Sequence, residues 1–231
     1  MSTLQYEKVE GLVANLSVHP ANIHFLKTIR QEKKLAAAVS IGQAISGEAG
    51  AVMSAQAAAD EGDPVESFTM NVAGETVTGA FWKTTFEINT HVIAIGSKSG
   101  GVFRATAVID PEKKIIWMQP HCERGTRAKS RSLARGCAWF ILFSAMSQLI
   151  LTTLGDPPHW PMLLGLSMAT IVTLIVTVGW SWRDFMAFAQ EMNTVATILG
   201  WPAPEETDLL KNTRLARKAG KPDLPMGVYY F

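Results

Sequence analysis

A 45-residue stretch from Ala138 to Trp182 contains no lysine or arginine and a single acidic residue, Asp156. The chain has 231 residues with 21 basic and 20 acidic side chains, so almost all of its charge lies outside this stretch. About a quarter of the residues in an ordinary soluble domain are charged. The sequence therefore predicts a soluble-type domain joined to a membrane segment.

Two apolar runs make up nearly all of this stretch, from 137 to 155 and from 161 to 182. Each is close to the roughly 20 residues that a helix needs to cross about 30 Å of hydrocarbon. The link between them contains Pro157 and Pro158, which force a turn, so we predict a transmembrane helical hairpin over 137–182. The alternative is a buried hairpin in a soluble core, which the lack of a polar face on either run disfavours.

Basic residues precede the first run and follow the second, and the link between the runs has none. The positive-inside rule then predicts a multi-pass membrane protein with both termini in the cytoplasm. The first ten residues have no apolar core, so we expect no signal peptide. The residues assigned to topology and to anionic lipid are Arg124, Arg127, Lys129, Arg131 and Arg135. The predicted interface anchors are Trp139, Trp180 and Trp182 at one interface and Trp160 at the other.

Polar and small residues recur every fourth position within both runs. They are Ser144, Gln148 and Thr152 in the first run, and Gly165, Ala169, Thr173 and Thr177 in the second. Such residues let membrane helices approach closely and hydrogen-bond across the contact. We expect the two faces to pack within one hairpin, and the alternative is that several hairpins assemble with these faces lining a water-filled path.

Many short strand-like stretches in 1–122 predict a cytoplasmic β-rich domain, which would be a small barrel or curled sheet of the OB type. Its predicted strands are 6–18 and 23–29 around a turn at 19–22, then 66–72, 75–86, 91–97, 102–109 and 114–118. A helix rich in alanine is predicted within about 31–61, with a membrane-inserting segment as the alternative. The fold class is therefore an α+β membrane protein.

The segments around the hairpin complete the predicted organisation. A basic connector spans 123–136, and 183–231 holds an amphipathic helix and a tail. The helix either continues the second spanning helix or lies along the membrane interface. The aromatic end of the tail, Val228 to Phe231, is either a docking peptide or an added edge of the chain's own sheet.

The sequence contains no pattern typical of an active site. We find no nucleophile elbow, phosphate loop, dinucleotide fingerprint or zinc-protease motif. His121, Cys122 and Glu123 form the only local group of potential ligands, and no second pair completes a metal site. The net charge of +1 argues against nucleic-acid binding. We therefore predict no enzyme, no cofactor, no metal and no nucleic-acid partner.

Two short stretches carry a resemblance to a known family. The run from Ile116 to Gly125 (IWMQPHCERG), followed by a basic stretch and an apolar hairpin, resembles a proteobacterial family of type VI secretion system effectors. The hairpin from Val72 to Gly79 is similar to that family's as well. The resemblance implies an inner-membrane protein linked to interbacterial competition, and it implies no catalytic residues.

Three functions remain open from the sequence. The first is a membrane-acting effector, the second a membrane-resident immunity protein against a toxin, and the third a membrane-anchored adaptor or sensor. The expected partners are the lipid bilayer and either a second copy of the chain or another protein.

Overall fold

The computed structural model shows a mixed α+β protein, which confirms the predicted fold class at that level. Side chains at 99, 151, 152, 154, 160–162, 180 and 181 lie outside the description. The residues that the structure describes are 6–23, 25, 63–99, 101–154 and 160–231.

Seven strands form one sheet in the order β3-β2-β1-β4-β5-β6-β7. Their bounds are β1 Tyr6–Ile23, β2 Asp63–Val72, β3 Glu75–Phe81, β4 His91–Ser99, β5 Val102–Asp110, β6 Ile115–Met118 and β7 Val228–Tyr230. The long first strand pairs with β4 through its first half and with β2 through its second half. A parallel pairing of β3 with β5 closes the first five strands into a ring.

The interior of the ring is filled by apolar side chains from all five strands, including Phe68, Phe81 and Phe103. Two glycines make this closure possible. A Cβ on Gly96 would lie 1.7 Å from the carbonyl oxygen of Arg104, where the β4–β5 register shifts. A Cβ on Gly79 would lie 2.6 Å from the Phe68 ring. Both positions therefore need a residue without a side chain.

Three α-helices and one short 3₁₀ segment follow the ring. Helix α1 covers Thr126–Leu154, α2 covers Trp160–Ile198, the 3₁₀ segment covers Pro204–Glu206, and α3 covers Leu209–Lys218. At 1.5 Å per residue, the 39 residues of α2 extend for about 58 Å. The helices therefore reach well beyond the sequence-predicted runs of 137–155 and 161–182.

The C-terminal half of α2 belongs to the core of the β domain. Phe188, Met192 and Val195 are at most 2 % exposed and pack with Ile95, Ile116 and other residues from the outer face of the sheet. The sheet at β4–β6 is thus buried on both faces, which explains its long apolar runs. The predicted amphipathic face is confirmed, and of its two alternatives the helix continues the second run.

The structure corrects or decides several other local predictions. The turn expected at 19–22 is wrong, because these residues continue β1 in register with β2. The turn at Ala73 and Gly74 is confirmed, with φ angles of 52° and 83°. The aromatic tail forms β7 and extends the chain's own sheet beside β6. The alanine-rich helix predicted within 31–61 lies outside the described residues.

Candidate membrane-anchoring junction

The C-terminal half of α1 and the N-terminal half of α2 form a continuous apolar surface, which we call the apolar belt. Among the described residues, 22 large apolar side chains are exposed, and 16 of them lie between Trp139 and Trp182. Phe143 and Ile175 are 75 % and 67 % exposed. Soluble monomers rarely expose so large a contiguous apolar surface without a partner.

One helical segment of the described chain, Thr126–Ile150, is by itself long and apolar enough to cross a membrane. In α2 the segments Leu163–Gly179 and Trp182–Ile198 meet this criterion only together, with a bend of 40° between them. Gly179 lies at the bend, and glycine weakens a helix locally. The second segment packs in the core of the β domain, so only the first exposes its apolar side chains.

A polar network joins the two helices within the apolar belt. Ser144 Oγ lies 3.3 Å from Thr170 Oγ1, and Ser167 Oγ donates to Gln148 Oε1 at 3.0 Å. Gln148 Nε2 in turn donates to Ser144 Oγ at 3.4 Å. The side chains thus satisfy one another inside the helix pair. Sequence reasoning selected Ser144 and Gln148 but missed their partners Ser167 and Thr170. The side chain of Thr152 is outside the description.

The stripe predicted on the second helix does not face the first helix in this chain. Gly165, Ala169, Thr173 and Thr177 are all exposed, and Thr177 donates to the carbonyl of Thr173 in its own helix. Positions spaced strictly by four drift about 40° around a helix at each step. The half-buried face mixes spacings of four and three, which keeps it close to one side of the helix. Its members are Leu163, Ser167, Thr170, Leu174 and Val178.

Backbone hydrogen bonds join the residues just before α1 to the segment 207–209. Gly125 N donates to the carbonyl of Thr207 at 2.9 Å, and Leu209 N donates to that of Glu123 at 3.1 Å. A Cβ on Gly125 would lie 2.3 Å from the carbonyl oxygen of Pro204. Gly125 is the last residue of the run 116–125 that carries the family resemblance, and this close backbone contact requires a glycine there.

Most of the basic connector binds carboxylates of the same chain. Arg127 Nε lies 2.9 Å from Glu205 Oε2, and Arg131 Nη2 lies 3.0 Å from Glu206 Oε1. Arg124 Nε lies 3.3 Å from Asp208 Oδ2. Glu205 and Glu206 remain about half exposed to solvent while they pair with these arginines. They are far along the chain, so only the tertiary fold brings them beside the connector.

Lys129 is the buried member of the connector, at 7 % exposure. Its Nζ lies 3.2 Å from Glu123 Oε1 and 5.4 Å from the centre of the Phe185 ring. A buried charge needs such compensation. The assignment of Lys129 to lipid contact is therefore corrected, because its ammonium group faces inward to its own chain.

Arg135 differs from the other four. It is exposed, and within the described residues it has no acidic partner. Trp139 lies one helical turn further along α1 and is 66 % exposed, while Trp182 on α2 is 41 % exposed. These positions fit interface anchors. The side chains of Trp160 and Trp180 are outside the description.

A second contact joins β1 to the half of α2 that packs on the β domain. The Tyr6 hydroxyl donates to the Glu191 carboxylate and accepts a hydrogen bond from Thr106 Oγ1 at 3.4 Å. Burial, reinforced by the Glu191 charge, raises the pKa of the Tyr6 phenol above its ordinary value. Burial likewise raises the pKa of the Cys122 thiol. A thiol that stays protonated is a poor nucleophile, so Cys122 serves as core.

His121 lies where the barrel meets the connector. Its Nε2 is 3.2 Å from Asp63 Oδ2, and its ring contacts the rings of Trp82 and Phe188. A positive φ of 68° turns the chain sharply at this residue. Within the described residues no three His, Cys, Asp or Glu side chains are grouped to hold a metal ion. The histidine therefore acts in the junction as a contact between elements.

Comparisons with protein-family models, with curated proteins and with solved structures gave no match to this chain.

Proposed function

We propose that this protein is a non-enzymatic, multi-pass protein of the bacterial inner membrane, whose hairpin of α1 and α2 carries an OB-like barrel. The apolar belt is the observation that supports this most. At about 1 kcal/mol for each half-exposed large side chain, its 16 members would cost about 15 kcal/mol in water. That is comparable with the whole net stability of a domain. A bilayer removes this cost.

The dimensions of the apolar belt agree with a bilayer. The 17 residues of Leu163–Gly179 rise about 26 Å, close to the 30 Å of a hydrocarbon core. No lysine or arginine occurs between Ala138 and Trp182, while basic residues lie on both flanks. This distribution supports an arrangement with the barrel and the C-terminal tail in the cytoplasm.

The strand pairing supports the OB-like assignment. In an OB barrel five antiparallel strands close in a Greek-key order. Here β1 pairs with both β2 and β4, and the parallel contact Val77 to Phe103 joins β3 to β5. A small closed barrel of this kind offers loops and a sheet face to a partner.

Of the three roles left open by the sequence, we favour the membrane-anchored adaptor or sensor. The polar residues between the helices satisfy one another within one chain, which supports packing over a water-lined path. Helix α2 runs without interruption from the apolar belt into the core of the β domain. A partner that moves the barrel would therefore move the membrane helix with it.

Type VI secretion and interbacterial competition form our second candidate context. The resemblance rests on 116–125, which runs from β6 to the foot of α1 and includes the required Gly125. Both an effector and an immunity protein would need this junction. The same chain could therefore serve either role with the same anatomy.

Cysteine labelling in intact cells tests the membrane arrangement. A membrane-impermeant maleimide should modify His159→Cys, between the helices, and should leave Asp223→Cys in the tail unmodified. Permeabilised cells should label both variants, which is the matched control. Labelling of Asp223→Cys in intact cells, or release of the chain by an alkaline carbonate wash, would refute the arrangement.

Production of the chain by itself separates the adaptor from a pore-forming effector. We expect the membrane potential of the producing bacterium to remain unchanged, because the polar side chains of Ser144, Gln148, Ser167 and Thr170 bind one another within the helix pair. A collapse of the potential would favour the effector. Loss of that collapse in Thr173→Leu with Thr177→Leu would place the path on the exposed stripe.

A further inference from the structure

We propose that Arg135 and Arg183 bind the anionic headgroup of a bilayer phospholipid at the cytoplasmic end of the apolar belt. We call these two residues the arginine pair. The inference rests on the proposed membrane insertion and names the class of lipid that this anchor prefers.

The arginine pair differs from its neighbours in charge compensation. Both members are exposed, and neither has an acidic partner among the described residues. Asp184 follows Arg183 directly, but adjacent residues of a helix do not face each other. A cation already paired with a carboxylate gains less from a phosphate. The neighbouring cations that lie within 3.3 Å of a carboxylate oxygen are Arg124, Arg127, Lys129 and Arg131.

Contacts between α1 and α2 bring the arginine pair to similar heights. Ser144 lies opposite Thr170, and Ser130 Oγ lies 3.8 Å from the sulfur of Met186. In this antiparallel register Arg183 is level with about residue 132. It therefore lies one helical turn, about 5 Å, from the level of Arg135. Two flexible side chains at such similar heights can reach the same layer of headgroups.

The two exposed tryptophans place the arginine pair at the depth of the headgroups. Trp139 lies about 6 Å above Arg135 along α1, and Trp182 directly precedes Arg183 on α2. Tryptophan rings favour the boundary between hydrocarbon and headgroups. The polar layer on each side of a bilayer is about 5–7 Å thick. Arg135 lies within this distance of Trp139 along α1, and Arg183 lies within it of Trp182 along α2.

The chemistry of the arginine pair favours a net negative lipid. A guanidinium group binds phosphate oxygens through two parallel hydrogen bonds. Phosphatidylglycerol offers this phosphate with one net negative charge. Phosphatidylethanolamine adds an ammonium group, which two uncompensated arginines repel. We therefore expect phosphatidylglycerol to be preferred in contact with the helices.

Quenching of tryptophan fluorescence by brominated lipids measures this preference, because Trp139 and Trp182 lie beside the arginine pair. The full chain is reconstituted in bilayers containing brominated phosphatidylglycerol or brominated phosphatidylethanolamine. The ratio of quenching gives a relative binding constant. We expect this constant to fall about fivefold in Arg135→Gln and again in Arg183→Gln. Arg135→Lys, which keeps the charge, should retain most of the preference.

Arg127→Gln is the matched control, since Arg127 is equally exposed but paired with Glu205. It should leave the relative binding constant unchanged. A wild-type preference in the Arg135→Gln, Arg183→Gln double variant would overturn the inference, as would an equal loss in Arg127→Gln. If wild-type fluorescence is quenched equally by both lipids, the lipid preference alone is wrong. If neither lipid quenches and the chain stays out of the vesicles, the membrane insertion is wrong as well.

Discussion

Replacement of Met192 by alanine tests whether α2 joins the membrane anchor to the β domain. Met192 is fully buried between α2 and the outer face of the sheet. The substitution removes three heavy atoms beyond Cβ and leaves a cavity between α2 and the sheet, which regular secondary structure closes poorly. Substitutions of this kind cost 2–5 kcal/mol. We expect about 3 kcal/mol, because the site is surrounded by core residues on all sides.

Thermal unfolding of the full chain in detergent micelles measures this cost. For a chain of this size, each kcal/mol lowers the melting temperature by about 2–4 °C, so Met192→Ala should lower it by about 6–12 °C. Ile175→Ala is the matched control, because Ile175 is 67 % exposed on the apolar belt. It should change the melting temperature of the β domain by no more than about 2 °C.

Limited proteolysis supplies a second readout of the same substitution. Loss of packing at Met192 should expose the junction at 119–125 to cleavage while the membrane-bound fraction stays constant. A melting temperature of Met192→Ala within about 2 °C of the wild type would refute the reasoning. An equal drop in Ile175→Ala would refute it too, because α2 would then not divide into a core half and a lipid half.

Three further predictions concern the barrel, the helix pair and the response to alkali. Gly96→Ala should destabilise the barrel by about 3 kcal/mol or more, because its Cβ would collide with the Arg104 carbonyl; a urea midpoint equal to that of the wild type would contradict the need for glycine. Ser167→Ala removes the hydrogen bond to Gln148 and should weaken helix pairing by only about 0.6 kcal/mol, measured by unfolding in detergent, and a loss above about 2 kcal/mol would mean that the network does more than pack two helices. The raised pKa of Tyr6 means that the unfolded phenol ionises first, so the stability that depends on its protonated form is complete below about pH 10 and decreases as the pH rises further. Tyr6→Phe should reduce this alkaline loss, and an unchanged pH profile would exclude Tyr6 as its source.

The junction gives a physical reason for the cluster of charges around the connector. Each guanidinium or ammonium group at the foot of α1 meets a carboxylate from Glu123 or from the segment 205–208. Exposed ion pairs contribute little stability individually, but they hold the segment after α2 against the start of α1. The anchor and the barrel are thus connected at three places: α2 itself, the connector, and Tyr6 with Glu191.

Local patterns were sufficient for most strands and for the turn at Ala73 and Gly74. Alternation of apolar residues and punctuation by Gly and Pro report on contacts between near neighbours, and such contacts differ little from one fold to another. The same patterns gave a wrong prediction at 19–22, where Pro and Asn favour a turn but the chain continues as β1. Pairing of this segment with β2 supplies hydrogen bonds that outweigh the local preference.

The candidate junction was only partly accessible from the sequence. Ser144 and Gln148 stand out in the sequence because they are polar residues in an apolar run. Their partners Ser167 and Thr170 could not be identified in this way, because the face that α2 turns inward depends on its packing against α1. The basic connector was visible, whereas its acidic partners were not. Except for Glu123, which pairs with Lys129, these partners lie 75 residues or more away, after both long helices.

Composition alone predicted the division of this chain, because a stretch of 45 residues with one acidic and no basic side chain is unusual for a soluble domain. Three matters depended on contacts between distant segments: which face of each helix turns inward, which cations keep their charge uncompensated, and where α2 passes from the apolar belt into the core of the β domain. The free energy of these contacts depends on which surfaces meet in space. The sequence shows which residues are available for such contacts, but only the folded structure shows which of them meet.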